Sequence, residues 1–195
     1  MKCDVILAGV GGQGVLSIAA IITQAALIQE LEVRQSEVHG MAQRGGAVLA
    51  HLRISDTDIA SDLVPKGCAD IILSMEPLES LRYAAWLSPE GIVISAAEPL
   101  VNISNYPSHD RVISGLEGYP LKRIIQAEAL AKEAGLAKSI NMVMAGAASP
   151  FLPIQAEFLQ NAIKIMFAGK DPALIAANIK AFQLGREASE SRSAA

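Results

Sequence analysis

The feature that most restricts this chain is a short apolar run that breaks into glycine and then continues as a helix. Asp4-Val5-Ile6-Leu7-Ala8 leads into Gly9-Val10-Gly11-Gly12-Gln13-Gly14, and an apolar stretch over 15–28 follows. A compact aliphatic run bounded by turn residues reads as a strand buried on both faces. The stretch from about 12 to 31 reads as a helix that is apolar nearly all round, so it must be covered on most sides. A short strand at 33–36 completes a β–α–β unit, for which a right-handed crossover is expected.

Gly9, Gly11 and Gly14 fit the GxGxxG spacing. In that motif the glycines allow a tight turn, close approach to a pyrophosphate and close helix–strand packing. The helix N-terminus adds oriented N–H groups and a partial positive charge. Two readings stay open: Gly9, Gly11, Gly12, Gln13 and Gly14 bind an anion, or they only let strand and helix pack. Gln13 can bond a ligand or a partner chain, or cap the turn. Glu37 stands about twenty residues on, where a ribose-binding acid is expected.

A second glycine-rich segment follows, Ser36-Glu37-Val38-His39-Gly40-Met41-Ala42-Gln43-Arg44-Gly45-Gly46. Its glycines allow positive φ or close backbone contact. Arg44 offers a planar fork for a carboxylate or phosphate. Glu37, His39, Gln43 and Arg44 can project from one loop at the carboxyl end of the sheet, where open α/β folds place ligands. The plainer alternative is an exposed polar loop in which Arg44 pairs with Glu37. His39 reads as a loop-fixing or interface residue, His51 as structural and His109 as solvated. A metal on His39 and His51 lacks an evident third ligand.

Downstream, strands are predicted at 46–55, 69–75, 91–95 and 111–114. Residues 59–61 are expected to return as a short hairpin arm after a turn at 56–58, and 98–109 as a loop. Helices are predicted from Pro77 to about Trp86, from Pro120 to a Gly135 stop, over 140–148, over 155–168, and from an Asp171 cap to about Gly185. The last ten residues lack large apolar side chains and read as disordered. The expected fold is a three-layer α/β Rossmann-like domain, 1–187, with a mostly parallel sheet, a short β-hairpin, a helical C-terminal region and a disordered tail at 188–195.

Composition narrows the partners. With 195 residues and a net charge of −4, and no cluster of Lys and Arg, general nucleic-acid binding is not expected. No segment has the roughly 20 apolar residues of a membrane span, and the expected location is the cytoplasm. Cys3 and Cys68 are the only cysteines. They are too few for an iron–sulfur cluster, and both read as buried small apolar residues.

The GxGGQG opening, the block SEVHGMAQRGG, Arg53 in the following strand, and Asn141-Met-Val-Met-Ala-Gly146 together resemble the gamma domain of 2-oxoacid:ferredoxin oxidoreductases, most closely the indolepyruvate type, over about 2–167. The resemblance implies oxidative decarboxylation: an aryl pyruvate, coenzyme A and oxidised ferredoxin give an aryl acyl-CoA, carbon dioxide and reduced ferredoxin. It implies thiamine diphosphate, magnesium and iron–sulfur clusters on a larger alpha subunit, and coenzyme A as co-substrate. This chain has no diphosphate–magnesium motif of its own, so it is expected to bind none of these cofactors and to be inactive alone. Glu37, His39, Gly40, Gln43, Arg44, Gly45 and Gly46 would then form an active-site wall or partner interface. An isolated chain can form homodimers through that surface. Competing readings are a stand-alone NAD-dependent dehydrogenase, an adenylating enzyme and a purely structural subunit.

Overall fold

The computed structural model describes residues 1–39 and 45–191, with the His39 side chain outside the description. The N-terminal apolar run forms β1 (Lys2–Val10), buried from Cys3 onward. It leads through the glycine turn into α1 (Val15–Ile28). Next come β2 (Glu32–His39), β3 (Ala47–Ser55) and β4 (Ala69–Ser74). Then follow α2 (Pro77–Arg82), β5 (Leu87–Ala96), α3 (His109–Glu117) and β6 (Lys122–Ile125). The chain finishes in helices: α4 (Ala127–Glu133), α5 (Ile140–Ala148), α6 (Ala156–Met166) and α7 (Pro172–Glu190).

One six-stranded sheet runs in the order β2-β3-β1-β4-β5-β6. The pairings β1–β4, β4–β5 and β5–β6 are parallel. β3 is antiparallel to both β1 and β2. The carboxyl ends of β1, β4 and β5 and the start of β3 therefore share one edge, with Val10 opposite Ala47. Alternation of side chains splits the core between two faces. Val5, Leu7, Leu52, Ile54 and Ile94 pack under α1 and α4–α7. On the other face Val93 and Ile124 meet α3 through Leu116, while Ile6 and Ile72 lie against Val64 and Trp86. Helices on one side and α2, α3 and the 56–68 loop on the other make the three layers expected. No helix of the described residues is long and apolar enough to cross a membrane.

Several expectations are corrected. The hairpin is β2–β3, across the second glycine segment, and 59–61 form no strand. Both edges of β3 are already occupied by β1 and β2, so nothing remains for a third strand to pair with. Residues 111–114 lie within α3, where Val112 and Leu116, one helical turn apart, are the buried pair. The helix expected from Pro120 splits: 122–125 are strand, because Ile124 and Ile125 alternate between the two faces, and only 127–133 are helical. Gly135 does end that helix, with φ +88°. Leu136 N–H donates to Ala131 O and Gly135 N–H to Lys132 O, the paired bonds of a Schellman close. Asp171 caps α7 by accepting from Ala173 N–H at 2.8 Å.

Gly185 does not stop α7, and the helix runs to Glu190, beyond the tail boundary expected at 188. Ser189 is buried there, its carbonyl accepts from Arg123 Nε at 2.7 Å, and Arg186 pairs with Glu190. Residues 192–195 lie outside the described residues. Cys3 is buried as expected, but Cys68 is exposed in the turn before β4.

Candidate functional site

The sheet edge at which β1 ends holds the first glycine segment. Gln13 is its clasp. Its main-chain N–H donates to Val10 O at 3.1 Å, and its side-chain Oε1 accepts from Val10 N–H at 2.8 Å. Its Nε2 donates to Met75 O at 3.1 Å, just past β4. Gly9 lies under this clasp. A Cβ there would stand 2.7 Å from Val15 Cγ2 and 3.1 Å from Met75 Cβ. Gly14, at φ +82°, is the N-cap of α1, and a Cβ on it would press on Asn141 of α5 at 2.9 Å. Close packing requires glycine at Gly9, and the positive φ requires it at Gly14.

The two glycine segments meet. Gly11 N–H donates to Gly46 O at 2.8 Å, and Gly45 N–H donates to Gly11 O at 3.3 Å. This extends the β1–β3 ladder and spends the Gly11 N–H that a bound phosphate would need. Glu37 lies in β2 rather than in a loop. It is exposed and accepts from Gln35 Nε2 at 2.5 Å. The backbone of His39 pairs with Val48. Gly40, Met41, Ala42, Gln43 and Arg44 lie outside the described residues, as does the pairing expected between Arg44 and Glu37.

A third wall comes from residues that the sequence did not single out. The 97–108 loop leaves β5 and crosses the ends of β4 and β1, so that Asn102 Nδ2 donates to Gly45 O at 2.8 Å. Glu76 anchors this loop from below. It is buried; one carboxylate oxygen caps α2 by accepting from Glu79 N–H at 2.9 Å. The other accepts from Leu100 N–H at 3.4 Å and from the Tyr106 hydroxyl. Burial, then the bond to Glu76 and its charge, push the Tyr106 phenol above its ordinary range. Glu79 is also pushed up, by burial, despite the Arg82 guanidinium beside it. The Glu98 carboxylate accepts from Ala127 and Glu128 N–H, at 3.2 and 3.0 Å. A carboxylate followed by a proline was the legible signal for Glu76 as a cap; its reach to Tyr106, thirty residues on, left no local trace.

Between the first glycine segment and the 97–108 loop lies a cleft of about 70 Å³, lined by Gln13, Met75, Glu98, Leu100, Glu128 and Ile140. That is small beside the several hundred Å³ of usual small-molecule sites, and the Glu98 and Glu128 carboxylates make it a poor place for an anion. Arg53 is not part of the edge. It grips buried Asp4 with Nε and Nη2 at 2.7 and 3.1 Å and donates from Nη1 to Ser61 and Leu63 carbonyls. His51 is structural as expected, its Nδ1 accepting from Val64 N–H at 3.1 Å. His109 is exposed at the start of α3, and its ring bonds Ala97 O at 2.9 Å.

A family model described as pyruvate ferredoxin/flavodoxin oxidoreductase matches residues 4–188. The chain belongs to that family. The indolepyruvate oxidoreductase subunit IorB of Pyrococcus horikoshii is 38% identical over 204 residues, covering 96% of both chains. The gamma subunit of keto/oxoacid ferredoxin oxidoreductase from Geobacter sulfurreducens shares the fold, with a TM-score of 0.71 at 22% identity over 97% of this chain and 99% of that one. A 2-oxoglutarate:ferredoxin oxidoreductase from Magnetococcus marinus, solved with 2-oxoglutarate, coenzyme A and succinyl-CoA bound, superposes with a TM-score of 0.76 at 21% identity. It covers 97% of this chain but only 31% of that one, so the same fold also occurs as a part of a longer polypeptide.

The two cysteines of this chain are too few to hold an iron–sulfur cluster. They are a buried Cys3, whose thiol burial and two aspartates push up to about 12, and an exposed Cys68. Among the described residues no three His, Cys, Asp or Glu side chains gather in a metal-binding group.

Proposed function

We infer that this chain is the small subunit of an indolepyruvate (2-oxoacid):ferredoxin oxidoreductase and supports the decarboxylation of aryl pyruvates to aryl acyl-CoA. The observation that carries this is similarity to IorB over nearly the whole of both chains. The reaction removes two electrons from the substrate and delivers them to ferredoxin. Thiamine diphosphate, magnesium and the iron–sulfur clusters are assigned to a larger alpha subunit, since two cysteines are too few for a cluster and the sequence carries no diphosphate–magnesium motif. Coenzyme A is the acyl acceptor. The contribution of this chain is a shaped edge. Gly9, Gly11, Gly12, Gln13 and Gly14 form a packing turn, and Gly45 and Gly46 are bonded to it. The segment Glu37, His39, Gly40, Gln43 and Arg44 forms an active-site wall or partner interface.

The small cleft and the spent Gly11 N–H weigh against a stand-alone dehydrogenase or adenylating enzyme. The test is reconstitution. The purified chain, given indolepyruvate, coenzyme A and methyl viologen, should reduce no dye, and adding the larger subunit should restore reduction. Turnover by the chain alone would refute the assignment, as would a larger subunit that is equally active without it.

A further inference from the structure

Five of the eleven large apolar side chains exposed among the described residues sit at the carboxyl edge of the sheet: Leu16, Val38, Leu100, Val101 and Ile103. Three of these are on the 97–108 loop, where Val101 is 67% exposed. An outward aliphatic triplet is common in a loose loop, but this loop is fastened. Leu100 N–H and the Tyr106 hydroxyl both bond the buried Glu76, Asn102 holds Gly45 O, and His109 holds Ala97 O at the loop's base. The conformational entropy of presenting Leu100, Val101 and Ile103 has been lost before any partner arrives, which is how a preformed docking surface gains affinity.

We propose that the larger subunit docks on this loop, seating Val101 and Ile103 in an apolar recess and facing Glu98 and Glu128 with a neutral or basic rim. The inference rests on the small-subunit reading above. Two observations choose this occupant over a second copy of the chain. Asn102 ties the loop to Gly45, beside Gly46 and the end of β1, so one partner on this edge covers the loop and that corner together. The two carboxylates beside Leu100 would repel their own copies across a two-fold axis. Glu76, Tyr106 and Asn102 are then positioning residues that hold the docking loop.

The experiment is a binding titration of the separately purified larger subunit with variants of this chain. Val101→Glu removes no hydrogen bond and should leave the melting temperature of the isolated chain unchanged, while weakening assembly at least about thirtyfold, as expected for a central contact. Asn102→Ala should weaken it about fivefold, the loss of one neutral hydrogen bond. Leu121→Glu, at the opposite edge before β6, should assemble like wild type. Wild-type affinity in Val101→Glu overturns the docking face and leaves the small-subunit reading standing. No binding by the wild-type chain overturns that reading itself. A homodimer of the isolated chain that Val101→Glu dissociates assigns the face to a second copy and also overturns the proposal.

Discussion

At the residue scale the decisive side chain is Gln13. In a ligand-binding turn it would point away from the backbone; here both ends of its amide are occupied by the protein, at Val10 N–H and Met75 O. Gln13→Ala therefore strands a part-buried N–H at the end of β1 and frees β4 from the turn. It should cost about 1–3 kcal/mol, at about 2–4 °C in melting temperature per kcal/mol for a domain of this size. Thermal denaturation checks this, and an unchanged melting point would return Gln13 to the ligand-binding reading. His51 gives a second residue-level prediction. Burial lowers its pKa, and its Nδ1 must stay unprotonated to accept from Val64. Below the ordinary value of 6.5 the unfolded chain takes up a proton that the folded chain refuses, so stability falls with pH from there down to the lowered folded value. Urea titrations across pH 7 to 5 should show that slope, and His51→Gln should flatten it.

At the element scale the tightest contact is the crossing of α5 and α7. Gly146 faces Phe182, and Gly185 faces Val143. A Cβ on either would lie 1.9 Å from the opposing carbonyl oxygen. Because the obstacle is backbone, the helices must separate, and Gly146→Ala should destabilise by about 3 kcal/mol or more. Gly115→Ala, which meets only a flexible Leu81 methyl at 3.0 Å, should cost far less; chemical denaturation of the two variants compares them. This crossing also shows what the sequence could and could not reveal. Gly185 read as a helix stop because glycine usually marks one, yet here it marks a close approach between elements about forty residues apart. Local signals were legible where local physics decides: the β1 turn, the bounds of α5, the Gly135 close and the Asp171 cap. They failed where the sheet decides. β6 reads as helix until β5 offers it a partner, and 59–61 read as strand until both edges of β3 are taken. The candidate site divided the same way. The glycines announced the edge, whereas Glu76, Tyr106 and Asn102 are joined only by the fold.

At the scale of the whole molecule, the question is whether a Rossmann-like sheet with a GxGxxG turn must bind a nucleotide. The motif supplies affinity through unspent N–H groups over an open crevice. In this chain the cleft beside Gln13 is about 70 Å³ and bordered by two carboxylates, the Gly11 N–H is paired with Gly46, and the Gln13 amide is bonded at both ends to the turn and Met75. What remains is the uncapped first turn of α1, which alone confers little affinity. The consequence is measurable as ligand-linked stability. A ligand present at 100 times its dissociation constant stabilises the folded state by about 2.7 kcal/mol, equivalent to about 5–11 °C here at 2–4 °C per kcal/mol. NADH at millimolar concentration should therefore shift the melting point by less than about 1 °C, whereas a true dinucleotide site of micromolar affinity would give the larger shift. The larger subunit, added in excess, should stabilise this chain where NADH does not, because it would cover the apolar side chains at the carboxyl edge. A shift of several degrees with NADH would mean that Gly11 and Gln13 release their partners to a ligand, and that the turn is a nucleotide site held closed in the free chain.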